Sequence, residues 1–119
     1  MDYRVLSYEE AKELVVKGGY RYLVGRSEFE AFTNYYCRQI DNNELECVKT
    51  WWNGRIYQGG GAVFRGSPEE VYCWIPWDMK GTIAPQRVRA ALRSTFSIEV
   101  DREKVNEARR SVLRKVLGV

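Results

Sequence analysis

KTWWNGRIYQGGGAVFRG, residues 49–66, decides how this chain folds. Two tryptophans run into an Asn53-Gly54 dipeptide, and three glycines precede Ala62-Val63-Phe64-Arg65. Asn-Gly is a strong hairpin signal because both residues tolerate the positive φ of a type I′ turn. LECVKTWW is therefore read as a strand, and RIYQ as the start of its return strand. Gly59-Gly60-Gly61 imply a bulge, a sharp bend, or close approach of another group to bare backbone. Upstream, FEAFTNYYCRQI (29–40) is rich in aromatic and β-branched residues and reads as a strand. Asp41-Asn42-Asn43-Glu44 is the turn between the two.

The two turns set which side chains share a face, because neighbours alternate along a strand. A two-residue Asn53-Gly54 turn pairs Trp52 with Arg55, Trp51 with Ile56 and Lys49 with Gln58. A two-residue Asn42-Asn43 turn pairs Arg38 with Cys47, Tyr36 with Lys49 and Asn34 with Trp51. One face then carries Phe32, Asn34, Tyr36, Arg38, Cys47, Lys49, Trp51, Ile56 and Gln58. The other carries Thr33, Tyr35, Cys37, Val48, Thr50, Trp52 and Tyr57. A sheet with one solvated face should alternate apolar with polar, and neither face here is plainly polar. Either helices cover both faces or one aromatic face is a binding surface. A one-residue slip in either hairpin would exchange the faces.

Working outward, Ser7-Tyr8-Glu9-Glu10 has the pattern of a capping box and opens a helix along Ala11, Leu14 and Val15 that ends at Gly18-Gly19. YRYLVG (20–25) reads as a short strand. Beyond the glycines, Gly66-Ser67-Pro68 turns the chain, Glu69-Glu70 starts one helical turn, and VYCWIPW reads as a strand with Pro76 at an edge. Pro85 begins a helix with Val88, Ala91, Leu92 and Thr95 on one face, beside Arg89 and Arg93. Asp101 caps a final helix whose stripe is Val105, Ala108, Val112 and Val116. The expected fold is a single α+β domain over residues 1–119: an antiparallel sheet of about four strands, an N-terminal helix and two C-terminal helices.

The composition narrows the chemistry. The chain has 119 residues, enough for one core. Its mean hydropathy of −0.48 suits a globular protein, and no apolar run approaches the ~18 residues of a membrane span. MDYRVLSYEE lacks a basic-then-apolar leader, so a cytoplasmic location is the expectation. Histidine is absent, which excludes Ser-His-Asp and Cys-His nucleophiles and His-based metal sites. Glu46 and Lys49 form E-x-x-K near Asp41 and Glu44, not the E-x-K spacing of the common nuclease fold. No enzyme, cofactor or metal is expected. Cys37, Cys47 and Cys73 are odd in number with no C-x-x-C spacing, and read as buried small hydrophobes rather than a disulfide framework.

Net charge is +3. From Lys80 onward ten basic residues face four acids, so this third carries +6 and residues 1–79 carry −3. Such asymmetry suits a polyanion partner or a solvated helix face. Aromatics interleaved with cations on a sheet suit single-stranded nucleic acid, since bases stack on the rings and cations neutralise phosphates. The expected contacts are Trp51, Lys49, Tyr36, Arg38, Phe32, Arg55, Arg65, Arg89 and Arg93, with Trp52 in the core and the glycines admitting the strand. The alternative is a protein-interaction or oligomerisation domain with an aromatic docking face. Val105, Ala108 and Val112 are nearly a heptad seam, which would pack on the chain's own sheet or join two chains as a homodimer.

The whole layout resembles the ThermoDBP type of single-stranded DNA-binding protein of hyperthermophilic archaea. The likeness rests on the N-terminal helix, the aromatic sheet around WWNGRIYQGG and the Arg-rich C-terminal helices. Lack of His and preference for Arg over Lys suit a thermophile. The resemblance implies a cleft with an apolar floor and basic flanks, binding of single strands with little sequence preference, and dimers joined by a C-terminal zipper. It carries over no individual residues; the expected partner is single-stranded DNA, with RNA as the alternative.

Overall fold

The computed structural model describes residues 1–118. Ser7 and Glu10 close the expected capping box, with Ser7 Oγ accepting from the Glu10 N–H at 3.1 Å and Glu10 Oε1 accepting from the Ser7 N–H at 2.9 Å. The helix that follows is α1 (Tyr8–Lys17). It lies between β1 (Tyr3–Leu6) and β2 (Arg21–Glu28), and the chain continues through β3 (Ala31–Asp41), β4 (Glu44–Asn53) and β5 (Gln58–Gly66). Three helices complete it: α2 (Pro68–Asp78), α3 (Pro85–Phe96) and, after one 3₁₀ turn at Arg102–Lys104, α4 (Val105–Leu117). The strands form one antiparallel sheet in the order β1-β5-β4-β3-β2. The class is α+β as expected, with five strands and four α-helices among the described residues.

Two elements depart from the sequence reading. β1 pairs with β5, from Tyr3 opposite Phe64 to Leu6 opposite Gly61; its partner lies some sixty residues away, so nothing local announces it. VYCWIPW is not a strand but the body of α2. A second capping box, Ser67 with Glu70, starts that helix, and Val71, Trp74 and Ile75 recur at helical spacing and are fully buried. Pro76 lies inside this helix, two residues before its end at Asp78, and forgoes the hydrogen bond to the Tyr72 carbonyl.

The registers differ too. Asn42-Asn43 is the expected two-residue turn, with Asp41 opposite Glu44, but β3 bulges between Gln39 and Asp41. The extra residue, Ile40, shifts the pairing by one: Arg38 faces Glu46, Tyr36 faces Val48 and Phe32 faces Trp52. Asn53 pairs with Gln58, so the β4–β5 connection is the four residues Gly54–Tyr57, with Tyr57 at φ 52°. Trp52 is therefore opposite Gly59 and Trp51 opposite Gly60. The slip of one moves every β4 side chain to the other face relative to β3. Trp52, not Trp51, shares a face with Phe32, Tyr36 and Arg38.

The main core lies between the sheet and α2, α3 and α4. Trp74 stacks on Phe64 at 4.6 Å and meets Tyr35 edge-on at 5.4 Å, among Leu45, Val88, Leu92 and Val112. The bulge also sets Cys37 directly opposite Cys47, with Cα atoms 4.1 Å apart, and their sulfurs form a cross-strand disulfide. Cys37 and Cys47 are buried as expected but bonded to each other, whereas Cys73 is a half-buried free thiol. Ala108 and Val112 pack inside this core against α2. A homodimer through α4 would have to use the exposed Leu113 and Leu117 instead.

The other face carries α1 alone, over β4 and β5. A smaller cluster of Leu6, Ala11, Val48 and Val63, with Leu14 and Val15, holds it there. The three glycines make this packing possible. A Cβ on Gly61 would stand 2.4 Å from Ala11 Cβ and 2.5 Å from the Lys49 carbonyl oxygen. One on Gly59 would meet Trp52 Cε3 at 2.5 Å, and one on Gly60 the Trp51 Nε1 at 2.7 Å. The space is filled by the chain's own helix and indoles rather than kept for a ligand.

Gly61→Ala should destabilise the protein by roughly 1–3 kcal/mol, because helix and strand backbones cannot both yield. Gly59→Ala, whose Cβ would also meet the Trp51 carbonyl oxygen at 2.7 Å, should cost less because the half-buried Trp52 ring can shift where the α1 backbone cannot. Urea denaturation of both variants tests this. Equal stability of Gly61→Ala and wild type would contradict the close packing of α1 on β5.

Candidate nucleic-acid interface

Because α1 occupies the β4–β5 half of its face, the β2–β3 half has no helix above it. Alternation along those strands points Tyr22, Phe32, Asn34 and Tyr36 outward there. Trp52 joins from β4 and Tyr8 from the first turn of α1. Tyr22 meets Tyr36 edge-on with ring centroids 5.7 Å apart. Tyr8 lies 5.1 Å from Trp52 at 32° and 6.3 Å from Phe32, and Tyr57 in the turn caps Trp52 at 6.4 Å. Tyr22 is 52 % exposed and Tyr57 81 %, while Phe32, Tyr36 and Trp52 are half-buried. The result is a shallow aromatic floor beside α1. Asn34 is its polar centre, with its amide over Gly25, where a Cβ would stand 2.1 Å from Asn34 Oδ1.

Charge is distributed unevenly around this floor. Arg38 and Arg65 converge on one nearly buried carboxylate, Glu46, whose Oε1 lies 2.8 Å from Arg38 Nη2. The Tyr20 hydroxyl donates to the same group. Arg38 also donates to the Gly18 carbonyl at the end of α1 and sits 4.7 Å above the Tyr20 ring. Two guanidiniums share this one carboxylate, and Glu44 and Asp2 also act on Arg65. At the other end Lys12 lies 4.6 Å above the Tyr8 ring, with Glu9 at 3.3 Å.

Of the expected contacts, Phe32, Tyr36, Arg38 and Arg65 lie on this face. Trp51 and Lys49 lie on the other, where Lys49 Nζ is 2.6 Å from Asp78 Oδ2, an oxygen that also accepts from the buried Tyr35 hydroxyl. Arg55 is exposed in the β4–β5 turn. Arg89 and Arg93 are on α3, in the layer behind the sheet, and Arg93 is paired with Glu99 at 2.6 Å. Glu46 and Lys49 also point to opposite faces, so the E-x-x-K pattern builds no joint site. Trp52, expected in the core, instead lies half-buried on this face opposite Phe32. Asn34 falls on the expected contact face without being an expected contact, and Tyr8 and Tyr22 carried no signal. No family model, curated protein or solved structure matches this chain.

The Glu46 cluster couples this end of the floor to pH. Burial works to raise the Glu46 pKa, but hydrogen bonds from Tyr20, Arg65 and Arg38 outweigh it and hold the carboxyl below its ordinary value. Burial, reinforced by the bond to Glu46, pushes Tyr20 from 10.0 up to about 12. A lowered carboxyl stabilises the fold above the unfolded Glu pKa of about 4.3, and that contribution is lost as the pH falls through the folded value. A raised tyrosine contributes fully below its unfolded value of 10.0, and this is lost as the pH climbs to about 12. Denaturation midpoints across pH should thus fall at both ends. Glu46→Gln should flatten the acid limb and Tyr20→Phe the alkaline one. Unchanged limbs in these variants would show that the cluster does not hold the fold.

Proposed function

We propose that this chain binds single-stranded nucleic acid, DNA or RNA, with little sequence preference, on the aromatic floor beside α1. The observation that carries the reading is the uncovered β2–β3 half of the sheet, where Tyr22, Tyr36 and Phe32 share one face and Trp52 joins them from β4. Aromatic rings accept any base, and each stacked base contributes about 1–3 kcal/mol. Asn34 offers a donor and an acceptor at the centre of the floor. Arg38, Arg65 and Lys12 stand at its ends to meet phosphates. An apolar floor between basic flanks is also what the resemblance to ThermoDBP-type proteins implies.

Titrating oligo-dT against tryptophan fluorescence tests the reading, since Trp52 lies at the floor. Binding should quench emission at low salt and weaken as salt rises, each neutralised phosphate adding roughly −0.7 to the log–log slope on single strands. Tyr36→Ala and Tyr22→Ala should each weaken binding by about 1–3 kcal/mol. Trp51→Ala, on the opposite face, should leave the affinity of folded protein unchanged. Absence of quenching at low salt would overturn the proposal. A stable complex with another protein, insensitive to salt and without nucleic acid, would favour the protein-docking alternative.

A further inference from the structure

On the side away from α1 the aromatic floor ends at β2, an edge strand. Tyr22, on that strand, is the outermost ring. Beside it stands Arg21, whose Nη1 donates to the Thr95 carbonyl at 2.6 Å and whose guanidinium lies 5.3 Å from the Phe96 ring. Further along the edge, Arg87 reaches from the first turn of α3 and donates to the Gly25 carbonyl at 3.2 Å. Both arginines are exposed. Among the described residues neither has a carboxylate within ion-pair distance.

This arrangement differs from that of the other cations near the floor. Arg38, Arg65, Lys12 and Arg26 have carboxylate partners, and Arg55, exposed in the β4–β5 turn, has no carbonyl holding its guanidinium among the described residues. A carbonyl fixes the direction of a guanidinium without cancelling its charge, and the remaining N–H groups stay free for a phosphate. Ordering the side chains beforehand also lowers the entropy lost on binding. Across the bulge between Tyr22 and Val24, the anchor points Arg21 and Gly25 lie opposite Cys37 and Asn34, a span of three β3 residues or about 10 Å at roughly 3.3 Å per residue. That spacing suits separate phosphates of one strand rather than a single anion. Arg87 also interrupts the free edge by taking up a β2 carbonyl, which hinders another strand from pairing there.

Resting on the reading of the floor as a single-strand site, we infer that the nucleic acid continues past Tyr22 over the β2 edge, where Arg21 and Arg87 grip its phosphates as a second segment of the site. Short oligonucleotides fill the floor alone, and longer ones add the edge.

The experiment compares dT6 with dT16 on wild type, Arg21→Gln/Arg87→Gln and Arg21→Lys/Arg87→Lys, by fluorescence anisotropy at low salt and with circular dichroism to confirm folding. The glutamine pair should bind dT16 at least tenfold more weakly, with the salt slope reduced by about 1.4 for two lost phosphate contacts, and should bind dT6 as wild type does. The lysine pair keeps both charges and should retain most of the dT16 affinity. An unchanged dT16 affinity in the glutamine pair overturns the edge segment while leaving the floor intact. Equal loss for dT6 and dT16 also overturns it, since the arginines would then act on the floor or the fold. Failure of wild type to bind either oligonucleotide removes the floor reading and the edge with it.

Discussion

The architecture depends on one contact, the methyl of Ala11 against the bare Cα of Gly61. It lets α1 settle onto β5 and β4 at a separation that any side chain on Gly61 would prevent. Leu14, Val15, Val48 and Val63 then close a small second core on that side of the sheet. A single ten-residue helix cannot cover five strands. With α1 committed to the β4–β5 half, the rings of β2 and β3 stay at the surface, held by edge contacts with one another. The large core on the opposite face, built on Trp74 and Phe64, leaves the sheet rigid enough to present them.

Much of this was legible in the residues, and the failures have definite causes. Ser7 and Glu10 announced α1, Pro85 announced α3, and Asn42-Asn43 gave the right turn. The same Ser-x-x-Glu signal stands at Ser67–Glu70, but the β-formers Val71, Tyr72, Trp74 and Ile75 outweighed it in the sequence reading. In the fold, capping and burial on one helical face prevail over residue propensity. β1 was invisible because its partner is remote. The decisive miss was Ile40. A bulge of one residue has no reliable signature, yet it carries Trp52 to the face of Tyr36 and Trp51 away from it. The four-residue β4–β5 turn, though also misread, displaced the pairing by an even number and left the faces of β4 and β5 matched.

Charge was the least legible property. The excess of cations after Lys80 is real, but α3 and α4 lie behind the sheet, on the side away from the aromatic floor. Lys49 and Arg38, expected as free contacts, are each engaged, one by Asp78 and the other by Glu46. Which cations keep their charge depends on which acids the fold brings near, and the linear sequence does not contain that proximity. Arg21 and Arg87 stand out only once α3 is seen packed beneath β2, with backbone carbonyls holding both guanidiniums.

The most direct measurement is photo-crosslinking of a 5-iodouracil-substituted oligo-dT to the intact chain, with the attachment sites mapped by mass spectrometry. Iodouracil reacts with aromatic side chains in van der Waals contact. Adducts at Tyr22, Tyr36, Phe32 or Trp52 are the result this account predicts. Adducts confined to Trp51, Trp77 or the helices α2 to α4 would contradict it, since they would place the nucleic acid on the covered face of the sheet.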